Sequence, residues 1–468
     1  MTKTLMAAAS LLALAACTTV GPDYQSPAPT APAQSGFVGA ASPAFTGDEP
    51  PGRWWSLFDD PVLDRLIEQA LTANTDLRVA SANLAQARAT LRETRAGRLP
   101  STSVAGGATY ANQPGPGGAD LTFDAGLDVG YQLDLFGRIR RGIEASRADV
   151  GAVQAAFDVA RVSVAAETAR AYADACSAGR QLAVAQESVR IQEQTFDLTR
   201  RLVEGGRGTA LETGQAGAQL EQTRAQIPTL EAQRQTALYR LSVLTGRPPA
   251  EFPREVAACA TPPALGRPIP VGSGASLLAR RPDIRAAERE LAAATARVGV
   301  ATAELYPDIR LGGSIGSTGT AGNLLSSSGF RFGLGPLISW TFPNTAVARA
   351  RIAQAEAGAD AALARFDGTW LGALEETESA LTRYATELDR VAILRRARAS
   401  SAEAARVARL RYRAGRESFQ IVLDAERSLA QTETALAQAE AQLSDNLVTV
   451  FLALGGGWEE APAVAAAS

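Results

Sequence analysis

The sequence predicts a mainly helical chain that contributes strands to a membrane β-barrel and consists of one unit written twice. Three observations predict it. The chain aligns with itself at a nearly constant spacing, each half carries a segment of strict period-two alternation, and each half carries long proline-free tracts rich in Ala, Leu, Arg and Gln.

The duplication sets the frame. One spacing relates Asp76-Leu77-Arg78 to Asp283-Ile284-Arg285, Pro100 to Pro307, and Phe123–Leu135 to Phe330–Phe342. It grows by two residues before Gly206-Arg207 meets Gly415-Arg416 and Thr245-Gly246 meets Leu454-Gly455, as a short indel requires. A spacing preserved through dissimilar segments marks an internal repeat. The repeats occupy 61–247 and 279–456, with a Pro-rich linker at 248–278 and a tail at 457–468. Each half reads helix, strand, strand, long helix, turn, helix.

Before the first repeat lies a processing signal at 1–16. Lys3 gives a positive start, and Leu5–Ala16 is an apolar stretch of about 12 residues, too short to span a bilayer but suited to a signal peptide. Leu14-Ala15-Ala16-Cys17 resembles a bacterial lipobox, in which the cysteine is acylated and becomes the new N-terminus. Two or more acyl chains anchor a protein stably. Thr18 replaces the Asp associated with inner-membrane retention, which points to the outer membrane. Residues 17–60, with Pro22, Pro27, Pro29, Pro32 and Pro43, read as an extended leash.

Helical patterning runs over 61–98 and stops before Pro100. From Phe123 to Leu135 the odd positions are apolar and the even ones are Asp, Gly or Gln, giving a strand with one oily and one wet face. Phe330–Phe342 repeats the pattern, and weaker strands precede each, at Thr102–Tyr110 and Ile309–Ser317. Aromatics near the strand ends and a Gly-rich wet face point to a membrane barrel. Four strands cannot close a pore, so other copies of the chain must complete it, in a dimer or a trimer. No proline lies between Pro116 and Pro228 or between Pro343 and Pro462. A helix over 138–203 would span on the order of 100 Å. Leu220, Ile227 and Leu241 with Leu230 and Leu244, mirrored by Leu429, Leu436, Leu443 and Val450, give the returning helices coiled-coil spacing.

Composition narrows the chemistry. With 468 residues, a net charge of -3 and 46% hydrophobic residues, the chain is neither a basic nucleic-acid binder nor disordered. It has no His, and Lys3 is the one lysine. That excludes His-based triads, zinc helices, Walker A lysines and Schiff-base lysines. We therefore expect no enzyme, no cofactor and no metal site. Once Cys17 is acylated, only Cys176 and Cys259 remain. Two cysteines do not prove a disulfide, and Cys176, in an Ala-rich helical run, reads as a small buried thiol.

Several motifs in order resemble the TolC-like outer-membrane efflux proteins, in their NodT-type lipoprotein branch. They are Cys17 with Gly21-Pro22-Asp23-Tyr24, Trp54-Trp55 to Asp60-Pro61, Leu133-Asp134-Leu135-Phe136-Gly137-Arg138, Leu278-Ala279-Arg280-Arg281-Pro282-Asp283-Ile284-Arg285, and Ala453-Leu454-Gly455-Gly456-Gly457-Trp458. The resemblance implies a homotrimer with a 12-stranded barrel in outer-membrane lipid and a periplasmic coiled-coil tunnel. It also implies a periplasmic adaptor and an inner-membrane resistance-nodulation-division pump as partners. The adaptor would dock at the helix-turn-helix tips, here Glu204-Gly205-Gly206-Arg207 and Arg413-Ala414-Gly415-Arg416. In similar proteins an aspartate in a Leu-Asp-Ala run rings the constriction, a place taken here by Asp424, and Glu212 stands where some relatives put a second acid of that aperture. Ile421 occupies the position of a further aspartate found in part of the family. Asp76 and Asp283 are expected to serve helix N-termini. The same channel could serve protein secretion or metal efflux; a lipid-anchored scaffold without a pore would leave the strands unexplained.

Overall fold

A computed structural model describes residues 19–27, 35–112, 119–324 and 326–456. Cys17 with the signal segment, and the tail from 457 with Trp458, lie outside the described residues. In chain order the first half contains β1 (Phe45–Thr46), α1 (Pro61–Ala73), α2 (Thr75–Ala96), β2 (Ser101–Asn112), β3 (Ala119–Leu133), α3 (Arg138–Glu204), α4 (Ala210–Arg224) and α5 (Ile227–Leu244). The second contains β4 (Ile269–Pro270), α6 (Gly274–Arg280), α7 (Pro282–Thr302), β5 (Asp308–Gly319), β6 (Phe330–Ser339), α8 (Ala346–Arg413) and α9 (Phe419–Ala453). The described residues form two compact units: one from those before 28, 82–155 and 284–369, the other from those of 35–81, 156–283 and 370–456.

The first unit is built on an antiparallel sheet in the order β2-β3-β5-β6. Its register turns the period-two pattern into continuous rows. Leu127 sits between Val104 and Ile315, and Ile315 opposite Phe332, so one apolar row crosses all four strands. Asp128 sits between Ser103 and Ser314, with Gly333 beyond, which makes the neighbouring row wet. The apolar face is uncovered in the single chain: Val104 is 84% and Phe332 80% exposed. A patch of that kind marks a surface meant for another environment. The two strands with weaker sequence signals are 12 residues each; β2 pairs along its whole length with β3, and every residue of β5 pairs with β3 or β6. Among the described residues no helix is long and apolar enough to cross a membrane.

Helix α3 leaves this sheet through a tight turn. Gly137 adopts φ +81°, and the Asp134 carboxylate accepts the Ile139 and Arg140 amides at 2.9 Å each, satisfying the first turn.

The second unit is a helical body. The tract expected as one helix over 61–98 is two, because Asn74 adopts an extended conformation. Its side-chain oxygen accepts the amides of Asp76 (2.8 Å) and Leu77 (3.3 Å), so Asn74 caps α2, and Asp76 stands in the first turn of that helix as expected. Its amide donates to the carbonyl of Leu244, the last residue of α5, at 3.0 Å. In the other half Arg281 does the same work, donating to the carbonyl of Ala453 at 2.8 Å while binding Asp283 and Glu376. Helix α1 starts on Pro61 with Asp60 accepting the Val62 amide, and Tyr172 donates to the other Asp60 oxygen at 2.6 Å. The core centres on Trp54, stacked on Phe451 with centroids 4.9 Å apart. Fully buried alanines, among them Ala165, Ala169 and Ala175, let the helices approach closely.

Four further expectations are corrected. The leash over 17–60 is not simply extended: β1 pairs in parallel with β4 of the linker, and the amides of Val38 and Gly39 donate to Glu378 at 2.7 Å. The linker is likewise ordered, and α6 begins inside it at Gly274 on a Ser273 capping box. Cys176 is not a free thiol but is bonded to Cys259. Sequence spacing could not show this, because the approach depends on Gly179, where a Cβ would stand 2.0 Å from the Cys259 carbonyl. The returning helix of the first half is also broken, into α4 and α5 with Pro228 in the first turn of α5, whereas α9 is continuous.

Candidate functional site

The residues predicted for the gate and tips fall in one region of the helical unit. Helix α3 ends at Glu204, after which Gly206 takes φ +70°. Its amide donates to the carbonyl of Val203, and that of Arg207 to Leu202, at 3.0 and 2.8 Å. Helix α8 ends at Arg413 in the same way: Gly415 has φ +68°, its amide donates to Tyr412, and that of Arg416 to Arg411, each at 2.9 Å. These paired bonds are Schellman closures, which satisfy the last carbonyls and require a left-handed residue. An added Cβ at either glycine would meet nothing within 4 Å, so backbone angle and not space selects glycine. Arg207 and Arg416 are both exposed.

Helix α4 begins on a capping box. Thr209 Oγ1 accepts the Glu212 amide at 3.3 Å, and the Glu212 carboxylate accepts the Thr209 amide at 2.8 Å. Glu212 thus has a structural task that the resemblance did not anticipate. Glu212→Ala should weaken the start of α4 by about 1 kcal/mol. Faster hydrogen exchange of the Thr209 amide would report it, and unchanged exchange would show that the box contributes nothing.

Helix α9 presents two faces. Phe419, Val422, Leu423, Glu426 and Leu429 are buried, and Ile421, Asp424 and Arg427 are exposed. Phe419 and Leu423 pack with Ala216, Phe196 and Tyr412, tying α3, α4, α8 and α9 together beneath the tips. Asp424 lies on the outward side, one turn after Ile421. It accepts from Gln420 Nε2 at 3.1 Å, and the Arg427 guanidinium stands 3.9 Å away.

Sequence reasoning passed over Glu426, only 4% exposed and two residues beyond Asp424. Its Oε1 accepts from Thr195 of α3 at 2.8 Å and from Arg409 of α8 at 3.3 Å. Burial pushes its carboxyl above the ordinary glutamate range, against the opposing pull of Thr195 and Arg409. A signal existed: Glu426 falls three residues from both Leu423 and Leu429, on the apolar phase of the helix. Asp76 and Asp283 stand apart from the tips. Asp283 binds the Arg281 guanidinium in the first turn of α7.

The profile of the outer membrane efflux protein family matches residues 66–247 and again 275–456. Nodulation protein T of Rhizobium leguminosarum bv. trifolii is 30% identical over 457 residues, which cover 96% of either chain. The probable outer membrane lipoprotein SilC of Salmonella typhimurium is 29% identical over 465 residues, 97% of this chain and 99% of the relative. The solved outer-membrane channel OprN superposes with a TM-score of 0.88 at 38% identity, over 94% of this chain and 100% of that one.

Proposed function

Because the chain belongs to the outer membrane efflux protein family, we propose that it is the outer-membrane channel of a tripartite efflux system. In this reading a lipid-anchored homotrimer, built on a duplicated unit, passively conducts small molecules such as drugs or solvents. It receives them from an inner-membrane pump through a periplasmic adaptor.

The observation that carries the reading is the uncovered apolar row across a sheet whose outer strands, β2 and β6, each pair on one side only among the described residues. In hydrocarbon each unpaired backbone group costs several kcal/mol, so the edges call for strands of further copies. Three copies give about twelve strands, within the range of bacterial barrels. Asp424, outward on α9, would line the aperture, with Glu212 beside it. Gly206, Arg207, Gly415 and Arg416 would present the tips to the adaptor. Cys17 would carry the acyl chains after removal of residues 1–16. Apart from Met1 and Met6 the chain has no methionine, and it has no histidine, which favours organic cargo over soft metal ions. We assign no reaction to it.

Protein purified from membranes and added to planar bilayers should give discrete conductance steps. Membrane-bound protein that never conducts would instead be an anchored scaffold.

A further inference from the structure

The linker between the two repeats encloses a recess in the helical unit. After Cys259, bonded to Cys176 of α3, residues 260–265 run past α8 and α9, and the Ser444 hydroxyl of α9 donates to the Pro263 carbonyl at 3.0 Å. One tie of this wall is covalent and the other is a buried hydrogen bond. Between the wall and the helices lies a recess of about 370 Å³, a size at which small molecules are held.

Helices α8 and α9 run antiparallel beside it: Arg395 donates to Glu440 at 3.0 Å, and the Asn446 side-chain amide donates to the Arg383 carbonyl at 3.4 Å. Tyr384, Leu388 and Leu447 therefore fall toward one end of the recess, and Arg395 and Glu440 toward the other. The stretch of α9 from Glu440 to Leu447 rises about 10 Å.

The two ends differ in chemistry. Tyr384 is 5% exposed, its ring is set against Phe45 with centroids 6.0 Å apart, and its hydroxyl has no hydrogen-bond partner among the described residues. Burial pushes that phenol above the ordinary tyrosine range, so it stays an O–H donor. A buried donor of this kind calls for an acceptor. At the other end Arg180 stands 3.9 Å from the Glu440 oxygen that Arg395 leaves free. Two guanidiniums against one carboxylate leave a positive charge uncompensated among the lining residues. Leu388, Leu443 and Leu447 make the intervening surface apolar.

A molecule complementary to all three features is elongated, with a negative charge at one end, an apolar body and an oxygen acceptor toward the other end. We propose that the recess is a binding site for such an amphipathic anion, with Arg180 and Arg395 holding its charge and Tyr384 its acceptor. The site does not depend on conduction, so it stands or falls apart from the channel reading. An occupant braces the linker against α3, α8 and α9 and raises the melting temperature of the helical unit by mass action.

The probe is para-benzoylbenzoate, whose carboxylate, aromatic body and ketone acceptor lie in line and whose ketone cross-links on irradiation. Full-length protein in lipid nanodiscs should give saturable cross-links that mass spectrometry confines to 260–265, 384–388 and 443–447. Arg395→Ala should weaken binding about tenfold, because a bond to a charged donor is lost, and Tyr384→Phe about fivefold. The melting temperature of unliganded Tyr384→Phe should equal that of the wild type, since its hydroxyl has no partner to lose, which separates loss of binding from loss of fold. The uncharged para-benzoylbenzamide should bind about tenfold more weakly than the carboxylate and be indifferent to Arg395→Ala. Cross-links that never saturate, that fall elsewhere, or that persist unchanged in both Arg395→Ala and Tyr384→Phe overturn the site.

Discussion

In the proposed trimeric channel, Asp424→Ala should remove most of the preference for cations that this carboxylate would confer. Three copies of this carboxylate around one axis would act on a passing ion at about 8 Å with roughly 1 kcal/mol each at an effective dielectric near 40, together on the order of a hundredfold. One substitution suffices because Ile421, one turn earlier on the same exposed side, supplies no second charge. The packing beneath is untouched, since Phe419 and Leu423 face the other way, and removal of an exposed carboxylate costs little stability. Glu212→Ala should add a smaller change, as that carboxylate is held in its capping box. Reversal potentials across a salt gradient measure the effect. An Asp424→Ala channel with wild-type cation selectivity would remove Asp424 from the aperture.

Cys259→Ser should be the most destabilising change outside the core. The bond to Cys176 closes a loop across a sequence separation of 83. In the chain-entropy account such a loop is worth about 4.5 kcal/mol, which corresponds to a fall of roughly 10 °C in the unfolding temperature of the helical unit. Gly179→Ala should approach the same result by barring Cys259 from α3. Thermal melts with and without reductant check this: reductant should lower the wild type to the level of the variant and leave the variant unmoved. Equal melting temperatures for oxidised wild type and Cys259→Ser would show that the bond contributes nothing to stability.

What the sequence made legible was periodic. Alternation between Phe123 and Leu135 located β3, and its distant copy located β6, because a strand's two faces impose a period no other element shares. The resemblance pointed to the turns at Gly206 and Gly415, and glycine stands there because the closing residue must be left-handed. What stayed hidden depended on partners remote in sequence. Asn74 reads as an ordinary polar residue until the Leu244 carbonyl is seen above it. The Pro-rich segment before Trp54 has the composition of a free tether, and only the approach of Ile269 and Glu378 gives it a place. Glu426 was the avoidable omission, since its phase on α9 was visible. Glu212 was found by resemblance, and its cap was legible in Thr209-Ala210-Leu211-Glu212.

The joining of Trp54 to Phe451, and of Arg281 to the Ala453 carbonyl, bears on biogenesis. The helical unit brings together residues from the first and last portions of the described chain, so its core cannot close until both are present. Long-range contacts of this kind fold slowly and leave apolar surface open in the meantime. Until the last turn of α9 arrives, the Arg281 guanidinium lacks its carbonyl acceptor. On the proposed route to the outer membrane, the periplasm would receive an incomplete body, and a chain truncated before Ala453 should be degraded faster than the full chain.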